Sequence, residues 1–174
     1  MTRYVAFLRG INVGGHHIVK KEKLLEIFVS LGFTGASIFK QSGNVIFEAD
    51  STDAEALRSA IQQKLSRVLG YEALVFLRTM TQLEELIKNS PFKEGSSEGV
   101  GLLVTFMSDR PTGYTLPIKI PKSTAEIIQI RGFEAYSLTH GYGDGGKPNP
   151  FIESKFKTQA TTRNLNTIKE IVTA

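Results

Sequence analysis

An α+β fold follows from three features of the sequence. The first half alternates short apolar runs and amphipathic stretches in the order β-α-β-β-α-β. A polar break, Glu94-Gly-Ser-Ser-Glu-Gly99, then interrupts the chain. The second half is rich in strand-like runs and closes with an amphipathic helix. Short apolar runs bounded by turn residues read as strands, and apolar residues at three- and four-residue spacing read as helix.

Tyr4–Leu8 is the first strand: apolar, short and ended by Arg9-Gly10. A glycine-bearing loop, Arg9-Gly-Ile-Asn-Val-Gly-Gly15, leads to a helix over 21–31. Its buried stripe is Leu24, Ile27, Phe28 and Leu31. Gly32 then Phe33 make a glycine stop with an apolar follower. Ala36–Phe39 and Val45–Phe47 read as two strands around Gln41-Ser-Gly-Asn44, where glycine suits a tight hairpin. Thr52-Asp-Ala-Glu55 has the form of a capping box opening a second helix. Its expected stripe is Leu57, Ile61, Leu65 and Val68, and Gly70 ends it. Leu74–Leu77 is a strand, and a short helix over 81–88 stops at Asn89-Ser-Pro91.

This is the ferredoxin-like order. It puts the third strand between the first and second. The loop after the first strand and the hairpin between the second and third then leave the sheet at one edge. Arg9 and Asn12 are therefore expected near Gln41, Ser42 and Asn44.

The expected division is 1–92, a linker over 93–99, and a second subdomain over 100–174. In the latter, Val100–Met107 is an apolar strand, and 109–122 holds three prolines and reads as an irregular excursion. Ala125–Ile130 and Ala135–Leu138 are strands around Arg131-Gly-Phe133. A glycine-rich loop, His140–Lys147, precedes Pro-Asn-Pro150. Helices are expected over 151–156 and over 162–172, the latter with Thr162 as N-cap and Leu165, Ile168 and Val172 as its stripe.

Composition narrows the function classes. Of 174 residues, 41% are hydrophobic and 22% charged, ordinary for a folded domain. The absence of cysteine excludes a disulfide framework, a thiolate metal site and a cysteine nucleophile. No signal-peptide pattern and no apolar run of membrane-spanning length is present, so the expected setting is cytoplasmic, without a membrane partner. The net charge is +4. It divides evenly between the two halves, which is not the footprint of a strong nucleic-acid binder.

Three constellations could carry chemistry. The first is the edge patch Arg9, Asn12, Gln41, Ser42 and Asn44. A guanidinium, carboxamides and a hydroxyl can hold a phosphate or carboxylate and read a polar group beside it. The same residue types also serve turns, where they satisfy their own backbone. The second is Thr161-Thr-Arg-Asn-Leu-Asn-Thr167. There Arg163 is expected in the first helical turn, a place that favours an anion and disfavours a cation. The third, Gly141–Lys147, has the spacing of a phosphate loop, but Pro148 stands where a magnesium-holding hydroxyl is needed. His16, His17 and His140 have no acidic partners at metal-ligand spacing, and no metal or cofactor is expected. Glu153 is the single acid in a basic segment that holds Lys147, Lys155, Lys157, Arg163 and Lys169.

Tyr4-Val-Ala-Phe-Leu-Arg-Gly-Ile-Asn-Val-Gly14, Gln41-Ser-Gly-Asn-Val-Ile-Phe47 and Thr161–Thr167 together resemble the DUF1697 family of bacterial proteins. Gly141-Tyr-Gly143, Lys147, Asn149, Phe151, Glu153 and Lys155 also look like its pattern. The resemblance implies two ferredoxin-like subdomains and no defined activity. Residue by residue, the pattern falls on Arg9, Asn12, Gln41, Ser42, Asn44, Arg163, Asn164 and Asn166. Leu165 stands where the family usually has tryptophan, and Asp144-Gly-Gly146 lengthens its loop.

The reading that follows is a protein that binds a small anionic ligand, a nucleotide or phosphorylated metabolite, with Arg9 and Arg163 holding the anion. One alternative is an RNA-binding module that stacks bases on Phe7 and Phe47. Another is a regulatory module without a ligand.

Overall fold

Strand β1 (Thr2–Arg9) is the axis of the first sheet, because its side chains are apolar on both faces. The computed structural model describes residues 1–12, 15–40, 43–92, 99–140 and 148–174. The described chain is a mixed α+β protein that divides into two units, Met1–Leu83 and Glu84–Ala174. The expected linker over 93–99 falls almost wholly outside the described residues.

In the first unit β1 is followed by α1 (Lys21–Ser30), β2 (Thr34–Phe39), β3 (Asn44–Ala49), α2 (Ala54–Leu69) and β4 (Leu74–Thr79). Helix α3 (Met80–Lys88) begins at the end of this unit. The sheet order is β2-β3-β1-β4, all antiparallel. Strand β3 thus lies between β2 and β1, as the sequence order requires. Tyr4, Ala6, Leu8, Val45, Phe47, Val75 and Leu77 share one core with Leu24, Ile27 and Phe28 of α1 and with Leu57, Ile61 and Leu65 of α2. Phe47 is the hub of its aromatic cluster, 4.6 Å from the Phe33 ring, 5.3 Å from Phe28 and 5.6 Å from Tyr4. Burying a side chain of that size stabilises the fold by about 1.5–3 kcal/mol.

The glycine stop of α1 forms as expected. Gly32 is left-handed, and the Phe33 amide reaches back to the Phe28 carbonyl at 3.4 Å. Two details of α2 differ. Its N-cap is Asp53, not Thr52. Asp53 Oδ1 accepts from the Ala56 amide at 3.0 Å, the reach an N-cap carboxylate has to the third helical residue. Glu55 turns instead to Arg58, which holds its carboxyl below the ordinary range by hydrogen bonding. Val68 is exposed rather than buried, because the core-facing stripe ends at Leu65.

The second unit contains β5 (Val100–Met107), β6 (Ile118–Lys119), β7 (Glu126–Arg131), β8 (Glu134–His140), α4 (Pro148–Phe156), β9 (Ala160–Asn164) and α5 (Leu165–Val172). Its antiparallel sheet has the order β6-β7-β8-β5-β9. With the two-residue edge strand β6 set aside, β7-β8-β5-β9 repeats the β2-β3-β1-β4 order of the first sheet. Met107, Ile127, Ala135 and Ala160 form a core with Ile152 of α4.

The expected helix over 162–172 is corrected here. Residues 160–164 pair with β5, Ala160 opposite Met107 and Asn164 opposite Leu103. Alternation explains it: Ala160 is buried in the α4-facing core, and the β-branched Thr161 and Thr162 suit a strand. The helix starts at Leu165 with Asn164, not Thr162, as its N-cap. Its buried stripe is Leu165, Ile168 and Ile171, so Ile171 replaces the expected Val172.

Candidate functional site

The register places the edge patch. Phe7 lies opposite Asn44, the Leu8 amide donates to the Gly43 carbonyl at 2.8 Å, and Arg9 lies opposite Leu74 of β4. The C-terminal end of β1, the β2–β3 turn and the start of β4 therefore share one end of the first sheet. Gly43 is required there. It is left-handed (φ 74°), and a Cβ on it would come within 3.3 Å of the Leu8 carbonyl oxygen. Gln41 and Ser42 lie outside the described residues.

The side chains brought to this end do different things. Arg9 is half-buried at the strand terminus. Asn12 is left-handed (φ 56°), and its Oδ1 accepts from the Val19 amide at 2.8 Å while its own amide donates to the His17 carbonyl at 3.1 Å. It closes the loop after β1. Asn44 is fully buried, and its Nδ2 donates to the Phe39 carbonyl at 3.1 Å, closing the hairpin from inside.

Four cationic residues at this end were not singled out from the sequence: Lys20, Lys21, Lys23 and Lys40. The Asn12–Val19 bond holds the start of α1 against the loop, and Lys20 is the N-cap without a side-chain cap. The missing cap was the signal available in the sequence, since none of residues 16–20 is Ser, Thr, Asp or Asn and lysines occupy the first turn. Lys40 is exposed in the β2–β3 turn with a left-handed backbone. Arg67 in the last turn of α2 belongs to the same end, because the Ala73 amide donates to Ser66 Oγ there. The carboxylates of this end are Glu22 and Glu72, so it carries +4, the same as the whole chain. The opposite end of the unit holds Glu48, Asp50, Asp53 and Glu55 against Arg3, Arg58 and Arg78. The first unit is thus electrostatically polarised, although its total charge looks ordinary.

In the second unit the Thr161–Thr167 segment is a strand end and a helix cap. Arg163 Nη1 donates to Thr161 Oγ1 at 2.8 Å and to the Thr162 carbonyl at 3.0 Å. Loss of hydration lowers the Arg163 pKa to about 10, so it stays protonated at neutral pH. Arg163 is in β9, not in the first turn of the helix as expected. Asn164 Oδ1 accepts from the Asn166 amide at 3.1 Å, which accounts for both residues at the start of α5. Leu165 is 1% exposed and belongs to the core. Glu153 joins a network under α4. Asn149 Nδ2 donates to Glu153 Oε1 at 2.7 Å and to the Ala160 carbonyl, Asn149 Oδ1 accepts from Thr162, and Thr162 bonds Thr105. This network ties α4 to β9 and β5. The Gly141–Lys147 loop lies outside the described residues.

A base-stacking platform needs accessible rings. Phe7 and Phe47 are both 0% exposed, and Phe47 faces the helices. Among the described residues no group of three or more His, Asp or Glu gathers to hold a metal ion, and no helix is long and apolar enough to cross a membrane.

Comparison with known proteins defines the class first. Over 99% of this chain and 97% of the other, the fold is similar to that of a solved conserved bacterial protein, SP0830 from Streptococcus pneumoniae, with a TM-score of 0.68 at 17% identity. Such a likeness speaks for the α+β architecture alone. The family follows from residues 1–136, which match the model described as a protein of unknown function (DUF1697); the chain belongs to this family. No match is found among curated proteins.

Proposed function

We propose that the Arg9 edge of the first unit binds a small anionic ligand, a nucleotide or phosphorylated metabolite. One observation carries this reading: the register that brings the ends of β1 and the β2–β3 turn together also gathers Arg9, Lys20, Lys21 and Lys40 at one end of the sheet. A local excess of cations on a polarised unit draws anions to that end and raises their local concentration. Arg9 offers the fork that fits a phosphate or carboxylate, and the lysines add point charges around it. In this reading Asn12 and Asn44 shape the edge, and Gln41 and Ser42 are carried with them from the sequence.

Arg163, Asn164 and Asn166 stay in the proposal as a separate contribution from the second unit, to be tested on its own. Reading each unit as ferredoxin-like is also part of the proposal, supported by the β-α-β-β-α-β order of the first unit and the repeated strand order. The cytoplasmic setting expected from the sequence is carried with it. Phe7 and Phe47, the two rings the RNA reading relies on, are enclosed, which favours the small ligand.

The test is thermal unfolding against a panel of nucleotides, sugar phosphates and a short RNA. A ligand at 100 times its Kd adds about 2.7 kcal/mol of stability. A shift present in the wild type, absent in Arg9→Ala and undiminished in Arg163→Met places the site on the first unit. No shift with any small anion removes the reading. A shift with RNA alone, falling steeply with salt, replaces it with the nucleic-acid one.

A further inference from the structure

The second unit repeats, at one end of its own sheet, a junction seen in the first. There the Leu8 amide donates to the Gly43 carbonyl; here, in the repeated strand order, the Met107 amide donates to the Phe133 carbonyl at 2.8 Å. This bond joins the end of β5 to the β7–β8 turn, Arg131-Gly-Phe133. Past Met107 the chain runs through Ser108 and Asp109 to Arg110, whose Cζ lies over the Phe133 ring, 4.9 Å from its centroid. The segment after α4 is tied to the same place. The Ser108 amide donates to the Gln159 carbonyl at 2.9 Å and the Asp109 amide to Thr158 Oγ1 at 3.1 Å. Lys157, with a left-handed backbone (φ 53°), immediately precedes that contact.

These parts are open to solvent and cationic. Arg110, Arg131 and Lys157 are exposed, and Phe133 is the aromatic member of the exposed large apolar side chains among the described residues, at 37%. Arg131 is anchored at one nitrogen, Nη1 donating to the Asn89 carbonyl at 2.9 Å. With Lys155 in the last turn of α4, four cations stand against two carboxylates, Asp109 and Glu134. The Asp109 carboxylate accepts from the Ser108 and Thr158 hydroxyls at 2.9 and 3.1 Å. A lone exposed phenylalanine is ordinary on a surface. One that lies under a guanidinium and is flanked by cations has the chemistry of a base-stacking contact, because bases stack on aromatic rings and on arginine while basic side chains follow the phosphates.

We infer that the β7–β8 turn binds single-stranded nucleic acid, with a base stacked at Phe133 and Arg110 and the backbone held by Arg131 and Lys157. Shape selects a strand over a free nucleotide. Small ligands are held in concave pockets that bury most of their surface. An exposed turn with one ring and spaced charges serves instead a chain that crosses the surface. Because every base offers a π-face, the contact does not choose among bases. Its few cations make it weak and sensitive to salt, in keeping with a net charge of only +4. The site lies in a different unit from the Arg9 edge and takes a different ligand, so each reading can fail alone.

The experiment is fluorescence anisotropy of a labelled oligouridylate with the full chain over a series of salt concentrations, with UMP as competitor. It uses the wild type, Phe133→Leu, Phe133→Trp, Lys157→Asn and Arg9→Ala. Leucine keeps an apolar side chain at position 133, and asparagine tolerates the left-handed backbone at position 157; melting temperatures check that the variants fold. Holding about three phosphates of a single strand gives a slope of log K against log salt of about −2. Phe133→Leu weakens binding about five- to a hundredfold at unchanged slope, and Phe133→Trp keeps it. Lys157→Asn makes the slope shallower by about 0.7. Arg9→Ala binds the strand as the wild type does. No binding at low salt overturns the inference, as does a Phe133→Leu affinity equal to the wild type. A loss in Arg9→Ala would move the strand to the first unit and overturn it too. UMP that competes as well as the unlabelled strand would make this a free-nucleotide site and refute the choice of a strand.

Discussion

Gly101 gives the sharpest test of the packing described above. In β5 it lies opposite Thr139 of β8, and Thr139 is 5% exposed. A Cβ built on Gly101 would stand 2.3 Å from Thr139 Oγ1 and 3.7 Å from Thr139 Cβ. The first distance is an overlap and the second an ordinary contact. Threonine can relieve the overlap only by rotating about χ1. Of its three staggered positions, one puts the hydroxyl toward Gly101, one puts the methyl there, and one puts the hydrogen there. Only the last fits. Overpacking of this size typically costs about 1–3 kcal/mol, offset by about 0.5–1 kcal/mol from removing a glycine from a strand. Gly101→Ala is therefore expected to destabilise by roughly 1 kcal/mol, a fall in Tm of about 2–4 °C for a chain of this size. In a Thr139→Ala background the overlap is gone, and the same substitution becomes neutral or slightly stabilising. Urea unfolding of the four proteins in this cycle measures the coupling, expected at about 1–2 kcal/mol. If Gly101→Ala costs the same with and without the Thr139 hydroxyl, the argument is wrong.

Two further outcomes are expected. Asn164→Ala should lower stability by about 1 kcal/mol through loss of the α5 cap, with Asn164→Gly milder, and circular dichroism at increasing urea reads it; a Thr162→Ala loss by the same helical signal, with Asn164→Ala silent, would return the cap to Thr162. Arg163 has a folded pKa lowered from its usual value to about 10, so above that folded pKa the unfolded chain binds the extra proton and stability rises with pH. Measured as the difference from Arg163→Met, the contribution of Arg163 should be less favourable at pH 9 than at pH 11; a flat difference would show that its guanidinium is solvated.

The sequence by itself determined the strands, most helices and their order, because alternation, helical spacing and glycine stops are local signals. Gly32-Phe33 and Gly70 end their helices as read, and the β-α-β-β-α order by itself brings the end of β1 to the β2–β3 turn. The capping box at Thr52 slipped by one residue, since Thr52 and Asp53 are both good caps and only the turn geometry chooses between them. Residues 162–164 read as the start of a helix because Thr162 is a plausible cap. Pairing with β5, a contact across more than fifty residues, made them a strand and put Arg163 in a sheet. Burial was likewise a tertiary decision. Phe7 looked like a stacking ring and Asn44 like a turn residue, yet both are fully enclosed. The basic end was invisible in a charge count, because Lys20, Lys40 and Arg67 are far apart in the chain. Chain reversal at α1, the β2–β3 hairpin and α2 carries them to one end of the sheet, and no local pattern records that.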